Sequence, residues 1–205
     1  MSRVLDALGY LDLPPGRLAT LVTYLEMRAP PPARTALDRP DLTLRLWERP
    51  DPAAYRTLYR RIGEPWLWFS RLLLDEAALA AVLHDPGLEV WLPERSGEPI
   101  GILELDFRTP AQCELAFFGL VPEAIGSGAG RWLMARALER AFRPGVQRFW
   151  VHTCHLDHPE ALGFYLRTGF RPYKLAVEVF EDPRLSGVLP RSAAPHVPLL
   201  EPGGG

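Results

Sequence analysis

The chain has 205 residues, 47% of them hydrophobic and 23% charged, ordinary values for a globular protein with room for one good-sized core. Its 23 Lys and Arg against 25 Asp and Glu leave a formal charge of −2, which argues against general nucleic-acid binding, a task that relies on a basic surface. No apolar run approaches the ~20 residues of a membrane span, so no membrane contact is expected. The opening Met1-Ser2-Arg3-Val4-Leu5-Asp6 has an early acid and no apolar stretch of the signal-peptide kind. Cys113 and Cys154 allow at most one disulfide, and without an export signal they read as free thiols of a cytoplasmic protein.

Residues 20–27 are rich in β-branched and aromatic side chains and read as a strand, followed by the extended loop Pro30-Pro31-Pro32. Residues 42–47 alternate apolar with polar and stop at Pro50, the pattern of a strand with one buried face. Asp51-Pro52 suits the cap and first turn of a helix running to Arg61. Residues 75–84 lead with acids and continue with good helix formers, a second helix ended by Asp85-Pro86-Gly87. Between these helices stand Trp66, Trp68 and Phe69, candidate walls of a substrate pocket or simply a cover for one side of the core.

Residues 88–93, 100–108 and 113–121 follow as short strands on tight turns, hence antiparallel neighbours. In the second of them Leu103, Leu105 and Phe107 fall on one face, and Glu104, Asp106 and Arg108 on the other. An amphipathic helix then runs to the stop at Pro144-Gly145, its apolar stripe built from Leu133, Met134, Ala137, Leu138, Ala141 and Phe142. Trp132 falls on its polar side, a candidate contact in a homodimer. Residues 148–154 form the next strand, and a strand–helix–strand crossover makes it parallel to 113–121. A short helix carries Pro159 and Glu160 in its first turn and Gly169 as its stop, and a last strand covers 173–180. The Pro-rich segment from Pro183 to the end reads as a tail, mostly unfolded or draped on the surface. The whole is an α/β chain with a mixed sheet: one domain over 1–182, then a tail over 183–205.

The densest signal is the bend Ile125-Gly126-Ser127-Gly128-Ala129-Gly130-Arg131 at the start of the long helix. Alternate glycines let several N–H groups point one way, and a helix N-terminus adds unpaired donors and partial positive charge. That combination cradles anions, phosphate or pyrophosphate above all. A P-loop would need Gly-Lys-Ser/Thr, and here Gly130 precedes Arg131 and Trp132; a dinucleotide fingerprint would want glycine where Arg131 stands.

With Leu120-Val121-Pro122 before this bend, and His158, Ala161, Tyr165, Gly169 and Phe170 spaced as Asn-x-x-Ala-x-x-x-Tyr-x-x-x-Gly-Phe, the chain resembles the GNAT superfamily of acetyl-CoA-dependent N-acetyltransferases over about residues 88–180. Two slots depart from the family pattern: Ile125 stands where Gln or Arg is usual, and His158 where Asn is. The resemblance implies a GNAT-like fold, mostly antiparallel with a parallel splayed pair at the cofactor site and flanking helices. Residues 1–87 would then hold substrate-side elements. It implies acetyl-CoA lying in that splay, its pantetheine arm paired with backbone around Leu120 and Val121. The diphosphate would rest on Gly126, Ser127, Gly128, Ala129, Gly130 and Arg131. The acceptor would be a primary amine on a small molecule or peptide.

Amine attack on a thioester needs a base, a donor for the oxyanion and a proton for the departing thiolate. By resemblance Tyr165 is the acid and Glu114 the base, acting through water; Glu104 and Asp106 on the neighbouring strand are the fallback, and a backbone N–H near Leu120 would meet the oxyanion. An acyl-CoA-binding module without turnover is the alternative function. The cluster His152, Cys154, His155 and His158 suggests zinc, but the matching second pair is missing, so no metal is expected and a strand end running into a helix cap explains it better.

Overall fold

The computed structural model describes residues 5–6, 8–32 and 38–202. The first four residues, weighed above for a leader, and the glycines at 203–205 lie outside the described residues. Eight strands form one sheet: β1 (Arg17–Met27), β2 (Leu42–Leu46), β3 (Leu88–Arg95), β4 (Glu98–Pro99), β5 (Gly101–Asp106), β6 (Gln112–Leu120), β7 (Arg148–Cys154) and β8 (Arg171–Glu181). They lie in the order β2-β3-β5-β6-β7-β1-β8, with the short β4 paired to β3. All pairings are antiparallel except β6 with β7. The N-terminal strand is thus inserted between β7 and β8, and Leu21 faces Val177 across the edge pair.

Four helices cover the sheet: α1 (Pro52–Gly63), α2 (Glu76–Leu83), α3 (Ala129–Ala141) and α4 (Ala161–Thr168). The caps are those the sequence offers. Asp51 accepts from the Ala54 N–H at 2.8 Å and Asp75 from the Ala78 N–H at 2.7 Å, each satisfying a donor that a helix start leaves open. Tyr59 of α1 meets Phe117 on one face of the sheet, with ring centres 5.1 Å apart. Phe142 after α3 meets Phe149, and Phe164 of α4 meets Phe118, on the other face. Because adjacent strand residues point to opposite faces, α1 and α3 sandwich the sheet between them.

Three expectations change. Trp132 is 7% exposed and belongs to the core, so it marks no contact between copies; the helix stripe is wide enough to take it in. On the edge pair of the sheet, Leu21 of β1 and Leu175, Val177 and Val179 of β8 are exposed. Glu104, a fallback for the base, is fully buried under α1 and the loop after it, where Tyr55 and Arg71 satisfy its carboxylate. The segment after Pro183 is not an unfolded tail. Leu189, Ala193, Ala194 and Val197 are buried against Leu67, Leu156, Phe69 and Phe180, and Arg60 donates to the Val188 carbonyl at 3.0 Å.

A buried ion pair pins that segment. Arg184 and Asp182, 3% and 2% exposed, bond through Nη2 at 2.7 Å, while Arg184 Nη1 donates to the Val197 carbonyl at 2.8 Å. Burial alone would raise the Asp182 carboxyl, but Arg184 holds it below its ordinary value. Arg184→Ala leaves Asp182 charged, buried and unpaired, so urea unfolding is expected to show a loss of about 3–5 kcal/mol. Amide exchange at Leu189 and Val197 should accelerate with it.

Candidate functional site

β6 and β7 are paired only at Gln112–Arg148, Cys113–Phe149 and Glu114–Trp150; beyond Glu114 they part. β6 also carries a bulge: its register against β5 slips between Glu104–Phe117 and Leu105–Leu115. Past the bulge the ladder is regular, and the Val121 N–H is bonded to the Ile100 carbonyl at 2.9 Å. Alternation in an antiparallel ladder then turns the N–H and C=O groups of Phe118 and Leu120 the other way, into the gap. Phe118 and Leu120, and not Val121, therefore offer main chain to a ligand lying there.

The gap ends at the glycine bend. Gly126 and Gly128 have φ of +78° and +83°, a region open to glycine at little cost, and a Cβ at Gly126 would point into empty space. Gly128 is the cap of α3, which leaves the N–H groups of Gly130 and Arg131 without helical partners. Ser127 and Ala129 do not line the cavity: the Ser127 hydroxyl donates to the Ala124 carbonyl at 2.7 Å, and Ala129 is buried. Ile125 lines it and is 42% exposed.

Two residues that the sequence did not single out join this bend. Arg39 donates to the Ser127 carbonyl at 2.8 Å and to Asp41, and Arg95 lies 3.5 Å from both Asp41 and the Ser127 hydroxyl. With Arg131 beside Gly128, three guanidiniums gather at the bend against the Asp41 carboxylate, a surplus of positive charge that suits a bound diphosphate. Arg39 is 88 residues from Ser127 in the chain. Nothing local in its own stretch announces the contact.

From the bend the cavity, about 1000 Å³, runs over the parted strands to the far face of the sheet. Trp66, Trp68 and Phe69 all line it. Trp68 lies so close over Gly119 that a Cβ there would sit 2.7 Å from its ring, and its indole N–H donates to Asp157 at 3.3 Å. Trp66 packs edge-on against His158 at 5.0 Å and near His196 of the C-terminal segment. Phe69 packs on Phe180, 4.9 Å between centres. Trp68 and Phe69 therefore serve as wall and as core at once, and Trp66 as wall.

Glu114 sits where the strands separate, its carboxylate 3.4 Å from His152 Nδ1. That contact raises the His152 pKa above its ordinary value, against the opposing effect of burial, and Asp157 and Glu178 add to the rise. Tyr165 comes from α4 on the opposite side of the sheet, against Phe118 at 6.4 Å. Burial pushes its phenol well up, with Asp157 adding to the shift, so it stays protonated at neutral pH. Asp106 is bound by Arg108 and Glu104 by Tyr55 and Arg71, which leaves Glu114 the carboxylate at the fork. The remaining histidines have local duties. His155 Nδ1 takes the Leu21 N–H at 3.1 Å, and His158 Nδ1 takes the Glu160 N–H at 3.1 Å, ahead of α4.

The chain matches the model of the acetyltransferase (GNAT) family over residues 43–170. No curated protein matches it. Among solved structures, a GCN5-related N-acetyltransferase from Sphaerobacter thermophilus superposes with a TM-score of 0.58 at 19% identity, covering 82% of this chain and 52% of its own. A functionally unknown conserved protein from Staphylococcus epidermidis gives 0.55 at 16% identity, covering 82% and 63%. An aminoglycoside acetyltransferase from an uncultured soil metagenomic sample gives 0.51 at 17% identity, covering 63% and 88%. The chain thus spans between half and two thirds of the length of the first two.

The Glu114–His152 contact has a measurable signature. In an NMR titration the His152 ring should lose its proton above 6.5, and Glu114→Gln should move that midpoint down. The stabilisation from the charged ring is present in full below 6.5 and lost as pH rises through the folded-state value.

Proposed function

Because the chain belongs to the acetyltransferase (GNAT) family, we propose that it moves an acetyl group from acetyl-CoA to a primary amine by direct attack in a ternary complex. The observation that carries this reading is the fork: β6 and β7 separate at Glu114, and unpaired main chain of Phe118 and Leu120 leads from there to the glycine bend. The N–H groups of Gly126, Gly128, Gly130 and Arg131 suit a diphosphate, and Arg39, Arg95 and Arg131 supply the opposite charge. Acetyl-CoA, when bound, supplies the activated acyl group.

The chain's own groups do the rest. Glu114, coupled to His152, takes the proton from the attacking amine, directly or through a water. An N–H from Phe118 or Leu120 faces the carbonyl oxygen as it gains charge. As the new C–N bond forms and the C–S bond breaks, the Tyr165 hydroxyl gives its proton to the departing sulfur. Only a neutral His152 ring can take the amine's proton on from Glu114, so turnover should rise with pH through its raised pKa. The free thiols Cys113 and Cys154 suit a reducing compartment such as the cytoplasm.

Two variants test the two halves of this reading. Gly130 is helical, and a side chain there meets only Leu120 at an ordinary 3.8 Å, so Gly130→Glu should fold normally while setting a carboxylate in the cradle. Calorimetry is expected to show acetyl-CoA affinity reduced at least ~10-fold, in line with losing one to two charge-assisted contacts. Tyr165→Phe should bind acetyl-CoA as before and release coenzyme A thiol about 10- to 100-fold more slowly. Equal turnover in that variant removes the acid role from Tyr165. Tight acetyl-CoA binding with no transfer to any amine would instead favour a binding module.

A further inference from the structure

The walls of the cavity differ in charge from end to end. Arg71 and Arg108 reach it from the β5 side, and Glu114, Asp157 and Glu178 from the side of β7 and β8. Arg108 is fully answered by Asp106, which its Nε meets at 3.0 Å through both carboxylate oxygens. Arg71 is not. Its Nη2 donates to Glu104 at 2.8 Å, with Tyr55 beside it, and its Nε is left without a partner. The other Glu104 oxygen is taken by the Tyr55 hydroxyl.

A guanidinium carries five N–H donors in a planar fork. Here the group is anchored at one corner, lies 5.1 Å over the Phe117 ring and keeps 14% of its side chain open. Its Nε is buried without a partner. Burial works against the charge of Arg71, and Glu104 together with Tyr55 more than offsets that, so the fork stays cationic. A purely structural ion pair has no need of a face on the cavity, and buried pairs are weak stabilisers in any case. An anchored fork with idle donors at a pocket wall is a preorganised acceptor for a carboxylate.

Register gives the span. Phe117, under Arg71, pairs with Glu104, and Glu114 pairs with Asp106 two residues further along β5. Two residues on one face of a strand are about 7 Å apart. The floor at the Arg71 end is apolar, with Phe117, Tyr59 and Trp68 packed at 5.1–5.5 Å. The charges at the Arg71 end already balance: Arg71 and Arg108 against Glu104 and Asp106. A doubly charged phosphate would upset that balance, whereas a molecule carrying one amine and one carboxylate adds no net charge.

We propose that the acceptor is a small amine that also carries a carboxylate, an amino acid or a short analogue of one, with its acid group on Arg71 and its amine at Glu114 and His152. This rests on the acetyl-transfer reading above. It assigns Arg71 a role in substrate selection that no local motif marks.

The test uses matched probes on the wild-type protein: L-amino acids, β-alanine and γ-aminobutyrate, each against its own carboxamide. Calorimetry reads binding with and without acetyl-CoA, and thiol release reads transfer. At least one acid is expected to bind, or to show a KM, at least ten-fold better than its amide. Arg71→Lys keeps a charge opposite Glu104 but loses the fork, and should narrow that ratio to about three-fold or less. Equal treatment of acid and amide in every pair, or no binding of either, overturns the proposal, as does an unchanged ratio in a folded Arg71→Lys protein. Acid-selective binding without thiol release keeps the carboxylate site and sinks the transfer reading. Thiol release with acids and amides alike does the reverse.

Discussion

The separation of β6 from β7 after three paired residues is the constraint on which the site depends. A sheet that parts leaves main-chain donors and acceptors without partners, a cost that water or a ligand must offset. Two features hold the gap open here. The bulge in β6 bends that strand at Ala116, and β1 pairs with β7 along its other edge from Val22 to Met27, so that β7 cannot follow. Glu114 and His152 stand at the vertex because they are the last residues on that face before and after the parting.

A second constraint lies beneath the first. Glu104 is fully buried in the central strand β5, where an unpaired carboxylate would be very unfavourable, and Tyr55 and Arg71 must both be in place to hold it. This ties α1 and the loop after it to the sheet by polar contacts as well as by apolar ones. The cavity wall inherits its rigidity from that network: Tyr59 stacks on Tyr55, and Trp68 and Phe117 pack on Tyr59. The C-terminal segment braces the same wall from behind through Leu189, Val197 and the buried Arg184.

Much of this was legible in the residues themselves. The cap at Asp51, the stop at Gly169 and the glycine bend before α3 are settled within a few residues, and each sits where the spacing put it. So are the strands at 42–46 and 148–154 and the parallel crossover between β6 and β7. Glu114, Tyr165 and the three aromatics at 66–69 were named from motif or composition, and all five line the cavity.

What escaped the sequence was long in range. Strand alternation put Glu104 on a polar face, but Tyr55 and Arg71 arrive from 49 and 33 residues away to bury it. A proline-rich ending reads as loose until Arg184 and four small or aliphatic side chains find a partner surface. The strand read at 20–27 was visible, yet nothing in it says that it starts at Arg17 or enters between β7 and β8. Arg39 reaches Ser127 across 88 residues, and His152 meets Glu114 only because two parallel strands set it two residues beyond Trp150, the partner of Glu114, on the same face. Local dihedral preference and hydrophobic period are written in neighbouring residues, and so the sequence by itself determined the elements and the glycine bend. Which charges face one another is fixed by distances between segments far apart in the chain, and only the tertiary structure decides those.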